Sequence, residues 1–97
     1  MHYDNNVNGT LCLLDVMSQE DDMLEKMAGR ELTQQLLLAL DRVLTDQERQ
    51  VIRLRYGLEG QEPMRQRQVA AVTGISRSYV SRIEKRALEK LRAALEG

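Results

Sequence analysis

QRQVAAVTGISRSYVSRIEK, residues 66–85, has the spacing of two helices that cross at a tight corner. Val69 and Ala70 face inward from the first helix, and Ala70 is small where the second helix must pass close above it at a steep angle. Gly74 permits the sharp turn through a positive φ. Ile75 plugs the corner, Ser76 caps the second helix, and Val80 and Ile83 pack it down. With Val80, Ile83, Ala87, Leu88 and Leu91 turned to the core, Arg77, Ser78, Ser81, Arg82 and Lys85 are left facing outward. Tyr79 stands at the edge of that face, where core packing, a phosphate contact and a base contact are all open to it. A row of donors of mixed length on the early turns of a helix suits base edges in a major groove. Arg77, Ser78, Tyr79, Ser81, Arg82 and Lys85 are therefore the candidate base-reading residues. Arg65 and Arg67, at the start of the preceding helix, are placed for phosphates, and Arg86 is assigned there too. Lys90 and Arg92 read as solvated surface.

Upstream, LTDQERQVIRLRYGL (residues 44–58) predicts another helix. Thr45 followed three residues later by Glu48 is a capping box, and Gly57 is the stop signal. Residues 59–64 (EGQEPM) form a polar connection, with Pro63 biasing Glu62 away from helical backbone. A further helix is expected from Glu20 to about Val43. Leu24, Met27, Ala28, Leu32, Leu36, Leu40 and Val43 recur there at intervals of three and four, with an irregularity anticipated at Gly29. Leu37 and Leu38 widen that stripe beyond what one small core needs. Residues 1–19 are polar at first and then ambiguous in period, and they read as a flexible tail and linker. The expectation is an all-α protein, with residues 20–97 forming one small helical domain that ends in a helix-turn-helix.

Charge distribution narrows the function. The chain of 97 residues has a net charge of −1, which argues against indiscriminate coating of nucleic acid. Residues 1–44 hold eight acids and three bases, whereas residues 65–92 hold eight bases and two acids. That local basic field points to one defined contact face. His2 is the single histidine and Cys12 the single cysteine, too few for a metal centre, and no glycine-rich phosphate loop is present. No carboxylate has a base or nucleophile beside it. Neither an enzyme, a cofactor nor a metal is expected. The longest apolar run, residues 36–40, is far too short to span a bilayer, and the N-terminus lacks the pattern of a signal peptide. The default expectation is cytoplasmic, with no membrane partner.

LTDQERQVIRLRYGL followed by RQRQVAAVTGISRSYVSRIEKRALEKLR (residues 65–92) closely resembles region 4 of bacterial RNA polymerase sigma factors of the sigma-70 family. GISRSYVSRIEKRAL (residues 74–88) is most similar to the sporulation mother-cell branch. LLDVMSQEDDMLEKM (residues 13–27) resembles, less specifically, the segment joining regions 3 and 4. The resemblance implies a long last helix in the major groove of the promoter element about 35 base pairs upstream of the start site. It also implies that earlier helices grip the flap of the polymerase β subunit. Carried over, Arg77 matches an arginine that contacts guanine, and Arg55 a position associated with phosphate. Ser78 and Arg82 replace a glutamate and a glutamine of the housekeeping members, implying a different element. Leu36, Leu40, Leu44 and Val51 are the candidate flap-facing residues. Nothing here resembles region 2, so a fragment, half of a split gene and an autonomous regulator are all open, and the chain alone is not expected to start transcription. The implied partners are double-stranded promoter DNA and the polymerase core, with an anti-sigma factor or a separately encoded region 2 as further candidates. A stand-alone helix-turn-helix regulator, and an interaction module that contacts polymerase or an anti-sigma factor without useful DNA binding, are the alternatives.

Overall fold

The computed structural model describes residues 4–18 and 29–96, which form five helices: α1 (Asp4–Ser18), α2 (Gly29–Arg42), α3 (Asp46–Tyr56), α4 (Gln66–Thr73) and α5 (Arg77–Glu96). The long α5 packs against α2, α3 and α4, and α1 lies on α2 and α3.

The sequence signals act where they were read. Thr45 Oγ1 accepts from Glu48 N at 3.1 Å while Thr45 N donates to Glu48 Oε1 at 2.9 Å, closing the capping box. Gly57 ends α3 in the left-handed region at φ 62°, and Gly74 ends α4 at φ 79°, where a Cβ would be strained. Ser76 Oγ accepts from Tyr79 N at 3.1 Å, so Ser76 caps α5. Leu24, Met27 and Ala28, expected on the α2 stripe, lie outside the described residues, as do Glu20, Asp21 and Asp22.

Two apolar clusters result. The smaller one, Val51, Val69, Val80 and Ile83 with Ala70 and Ile75 against it, is the heart of the helix-turn-helix. The larger one joins Leu36, Ala39, Leu40 and Leu44 to Ile52, Tyr56 and Leu58, and to Ala87, Leu91 and Leu95 of α5. Leu13, Leu14 and Met17 of α1 belong to it as well.

For residues 4–18, that membership corrects the expectation of a flexible tail. LCLLDVM places Leu13, Leu14 and Met17 on one face at helical spacing, and the apolar surface of α2 and α3 gives that face something to cover. Gly9 allows the close approach: a Cβ there would stand 2.5 Å from the Tyr56 carbonyl oxygen and 2.7 Å from that of Gly57. The polar composition of residues 4–10 concealed a helix whose ordering comes from tertiary contact rather than propensity.

Leu36, Leu40, Leu44 and Val51 are corrected too. They are buried to 5% exposure or less, or 6% for Leu40, so they form the core rather than a surface for a partner. The neighbouring residues Leu37 and Leu38 are the ones left open, at 46% and 59% exposure.

Glu48 has a second role beyond the cap. Lys90, expected to be solvated, donates to Glu48 Oε1 at 2.9 Å and ties the far half of α5 to the start of α3. Burial alone would raise the Glu48 pKa, but the Thr45 backbone N–H and Lys90 outweigh it and hold it below its ordinary value of 4.5. A folded-state pKa below the unfolded one stabilises above the unfolded value and is lost as pH falls through the folded value. The midpoint of urea unfolding should therefore fall more steeply below pH 4.5 in the parent than in Glu48→Gln, and parallel pH profiles would contradict this.

Candidate nucleic-acid interface

Arg77, Ser78, Ser81, Arg82, Lys85 and Arg86 are all exposed along α5, while Val80, Ile83, Ala87 and Leu91 on its other side are buried. The face read from the sequence is thus open over its whole length. Tyr79 is exposed beside it. Arg65 and Arg67, at the start of α4, are exposed too. Arg65 N donates to Gln68 Oε1 at 2.8 Å, which pins the first turn of that helix.

Gln66, Arg77, Ser78, Ser81 and Arg82 line an open concavity of about 500 Å³ between the start of α4 and the early turns of α5. Arg, with five donors and no acceptor, and Ser, with both, give this surface an excess of donors. Such a surface suits phosphate oxygens and the N7 and O6 acceptors of guanine.

Arg55 has a framework role that its sequence assignment did not include. Its Nε donates to Glu84 Oε1 at 2.9 Å and its Nη1 to the Met64 carbonyl at 2.9 Å, and its guanidinium lies 5.4 Å from the centre of the Tyr56 ring. These contacts bind the connection after α3 to α5, so Arg55 serves the framework under the face, while 28% of its side chain stays exposed.

Glu84 is the residue that the sequence reading missed. It is 6% exposed. Its Oε1 accepts from Arg55 Nε and from Gln66 Nε2, both at 2.9 Å, and its Oε2 accepts from the Tyr56 hydroxyl at 2.9 Å. Burial first, and then the Glu84 carboxylate, push the Tyr56 phenol upward, which keeps it a neutral donor. One carboxylate therefore links α3, α4 and α5. The signal was present: Val80, Ile83, Glu84 and Ala87 share one stripe, and an acid on an apolar stripe must have partners. The partners come from residues 18 to 29 positions away, which periodicity cannot show.

Among the described residues no group of three or more His, Cys, Asp or Glu could hold a metal, and no helix is long and apolar enough to cross a membrane.

The family model described as "Sigma-70, region 4" matches residues 40–93, which include α3, α4, the turn and most of α5. The chain belongs to the sigma-70 region 4 family. Its relatives include the RNA polymerase sigma-E factor of Clostridium acetobutylicum, 38% identical over 82 residues, which are 84% of this chain and 35% of that protein. The RNA polymerase sigma-K factor of Bacillus subtilis (strain 168) is 42% identical over 82 residues, 84% of this chain and 28% of that protein. These are sporulation-type factors, the branch that residues 74–88 resemble. The chain spans about a third of the length of these relatives. No solved structure matches. The region 4 match covers both the small cluster of the helix-turn-helix and the exposed row on α5. Helix α1 lies outside it.

Proposed function

We propose that this region 4 domain reads the upstream promoter element, about 35 base pairs from the start site, and docks on the flap of the polymerase β subunit as the C-terminal part of a sigma factor. The observation that carries the reading is the division of α5 into a buried face and an exposed row of Arg77, Ser78, Ser81, Arg82 and Lys85. That division is what a helix needs to be held rigidly and still enter a groove. Arg77 stands in the first turn after the Ser76 cap, and Arg82 follows further along the same face. Each guanidinium can donate both members of a bidentate pair to one guanine. Arg65, Arg67 and Arg86 take phosphates.

Selection of binding sites from a randomised upstream element, with the full chain and with polymerase core added, tests this. Arg77→Ala and Arg82→Ala should each cost about 1–3 kcal/mol on the selected element and almost nothing on random DNA. Arg65→Ala and Arg67→Ala should weaken all sequences alike and lower the slope of log affinity against log salt by about one. Unchanged site preference in both Arg77→Ala and Arg82→Ala would remove the base-reading role of α5.

With Leu36, Leu40, Leu44 and Val51 in the core, Leu37 and Leu38 are exposed apolar residues of α2 that can meet the polymerase flap. Replacing both by Asp should abolish binding to core polymerase while circular dichroism stays helical. Retained binding would put the contact elsewhere.

A further inference from the structure

We propose that Gln66 reads a base edge within the promoter element and that buried Glu84 is the residue that positions it. The proposal rests on the promoter-reading function above and adds a side chain from outside the recognition helix to the reading face.

Gln66 is the first residue of α4 and lines the same concavity as Arg77, Ser78, Ser81 and Arg82. Its amide has a defined orientation. A carboxylate only accepts, so the atom that meets Glu84 Oε1 at 2.9 Å has to be Nε2. Glu84 is itself immobilised by Arg55 Nε and the Tyr56 hydroxyl, each at 2.9 Å, and is almost wholly buried. The anchor is therefore fixed before DNA arrives. One N–H of Gln66 is used on Glu84, which leaves the carbonyl Oε1 and the second N–H for a ligand.

That remaining pair complements its neighbours. Arg77 and Arg82 can only donate, so they discriminate for bases that present acceptors. An amide oxygen supplies the acceptor that arginine lacks. Oε1 together with one N–H is the set that adenine requires, with its N6 amino donor and N7 acceptor in the major groove. The arrangement also lowers the cost of binding, because an amide already held by a buried partner loses less freedom on contact. Gln66 thus specifies an adenine at one position next to those read from α5.

The test is site selection from a randomised duplex by the full chain, followed by titration on selected and random duplexes at several salt concentrations. The parent should select an A·T pair at one position that Gln66→Ala no longer selects, while the preferences removed by Arg77→Ala and Arg82→Ala persist. Affinity of Gln66→Ala should fall roughly 5- to 150-fold on the parent's selected duplex and stay unchanged on random DNA, with the same salt slope. Glu84→Ala should lose the same single preference. Glu84→Gln should keep it, because the Arg55 guanidinium turns the new carbonyl oxygen toward itself and so toward Gln66. Circular dichroism confirms that each variant is folded, and if Glu84→Ala is not, the contrast between Gln66→Ala and Glu84→Gln decides. Equal weakening of Gln66→Ala on all duplexes would make Gln66 a phosphate contact, at an unchanged salt slope because the amide is neutral, and would overturn the proposal. Unchanged selection by Gln66→Ala would overturn it too, leaving the promoter-reading function intact. A parent that selects no sequence would overturn both.

Discussion

Leu13→Ala should lower the free energy of unfolding by about 2–5 kcal/mol, the usual cost of cutting a leucine from a closed core. Leu13 and Met17 have no exposed surface and belong to the cluster that contains Leu36, Ile52, Tyr56 and Leu91. In a domain of this size the whole stability is only about 5–15 kcal/mol, so a loss at the top of the range leaves a marginal fold. Met17→Ala should behave alike, because its side chain fills the same cluster. Leu37→Ala, on an exposed side chain of α2, should stay within about 0.5 kcal/mol of the parent. Urea denaturation of the three variants measures this directly. A Leu13→Ala change as small as that of Leu37→Ala would show that α1 does not pack on the domain in solution. The contrast matters for function, since α1 covers apolar surface of α2 and α3 beside the helix-turn-helix. Removing residues 1–18 altogether should uncover that surface and abolish cooperative unfolding.

Glu84→Ala should be the most damaging single change in the framework of the interface. It leaves Arg55 Nε, the Tyr56 hydroxyl and one N–H of the Gln66 amide without the acceptor they share. Truncating one partner of a buried ion pair costs about 3–5 kcal/mol. Arg55 keeps 28% of its side chain exposed and can recover some hydration, so about 2–4 kcal/mol is expected here. Glu84→Gln preserves an acceptor for Arg55 and Gln66, and Tyr56 can accept from its amide instead. Its loss should be roughly half as large or less, because neutral hydrogen bonds replace charge-assisted ones. Thermal unfolding of both variants gives the ranking. Equal destabilisation would mean that the charge, rather than the set of acceptor contacts, holds α3, α4 and α5 together.

Much of this protein was determined by its sequence alone, and for a local reason. The Thr45 and Glu48 capping box, the stops at Gly57 and Gly74 and the Ser76 cap each involve residues at most a few positions apart, and side-chain chemistry at that range sets backbone conformation directly. The helix-turn-helix was legible for the same reason. Val69, Ala70, Gly74, Ile75, Val80 and Ile83 encode one corner within 15 residues, and the outward side of α5 followed by elimination. Family membership came with those residues. What depended on long-range packing was not legible. Whether Leu36 or Leu37 is covered turns on where α1 and α5 lie, and an apolar stripe does not say how wide its partner is. Residues 4–18 became a helix because a waiting apolar surface and the clearance at Gly9 made it favourable, although their composition suggested a loose tail. The framework role of Arg55 could not be seen until the fold brought Glu84 beside it. Gln66 was one polar residue among several until that same carboxylate held its amide. In each case the deciding partner is distant in sequence, and only tertiary structure chooses which polar groups become partners in a low-dielectric interior.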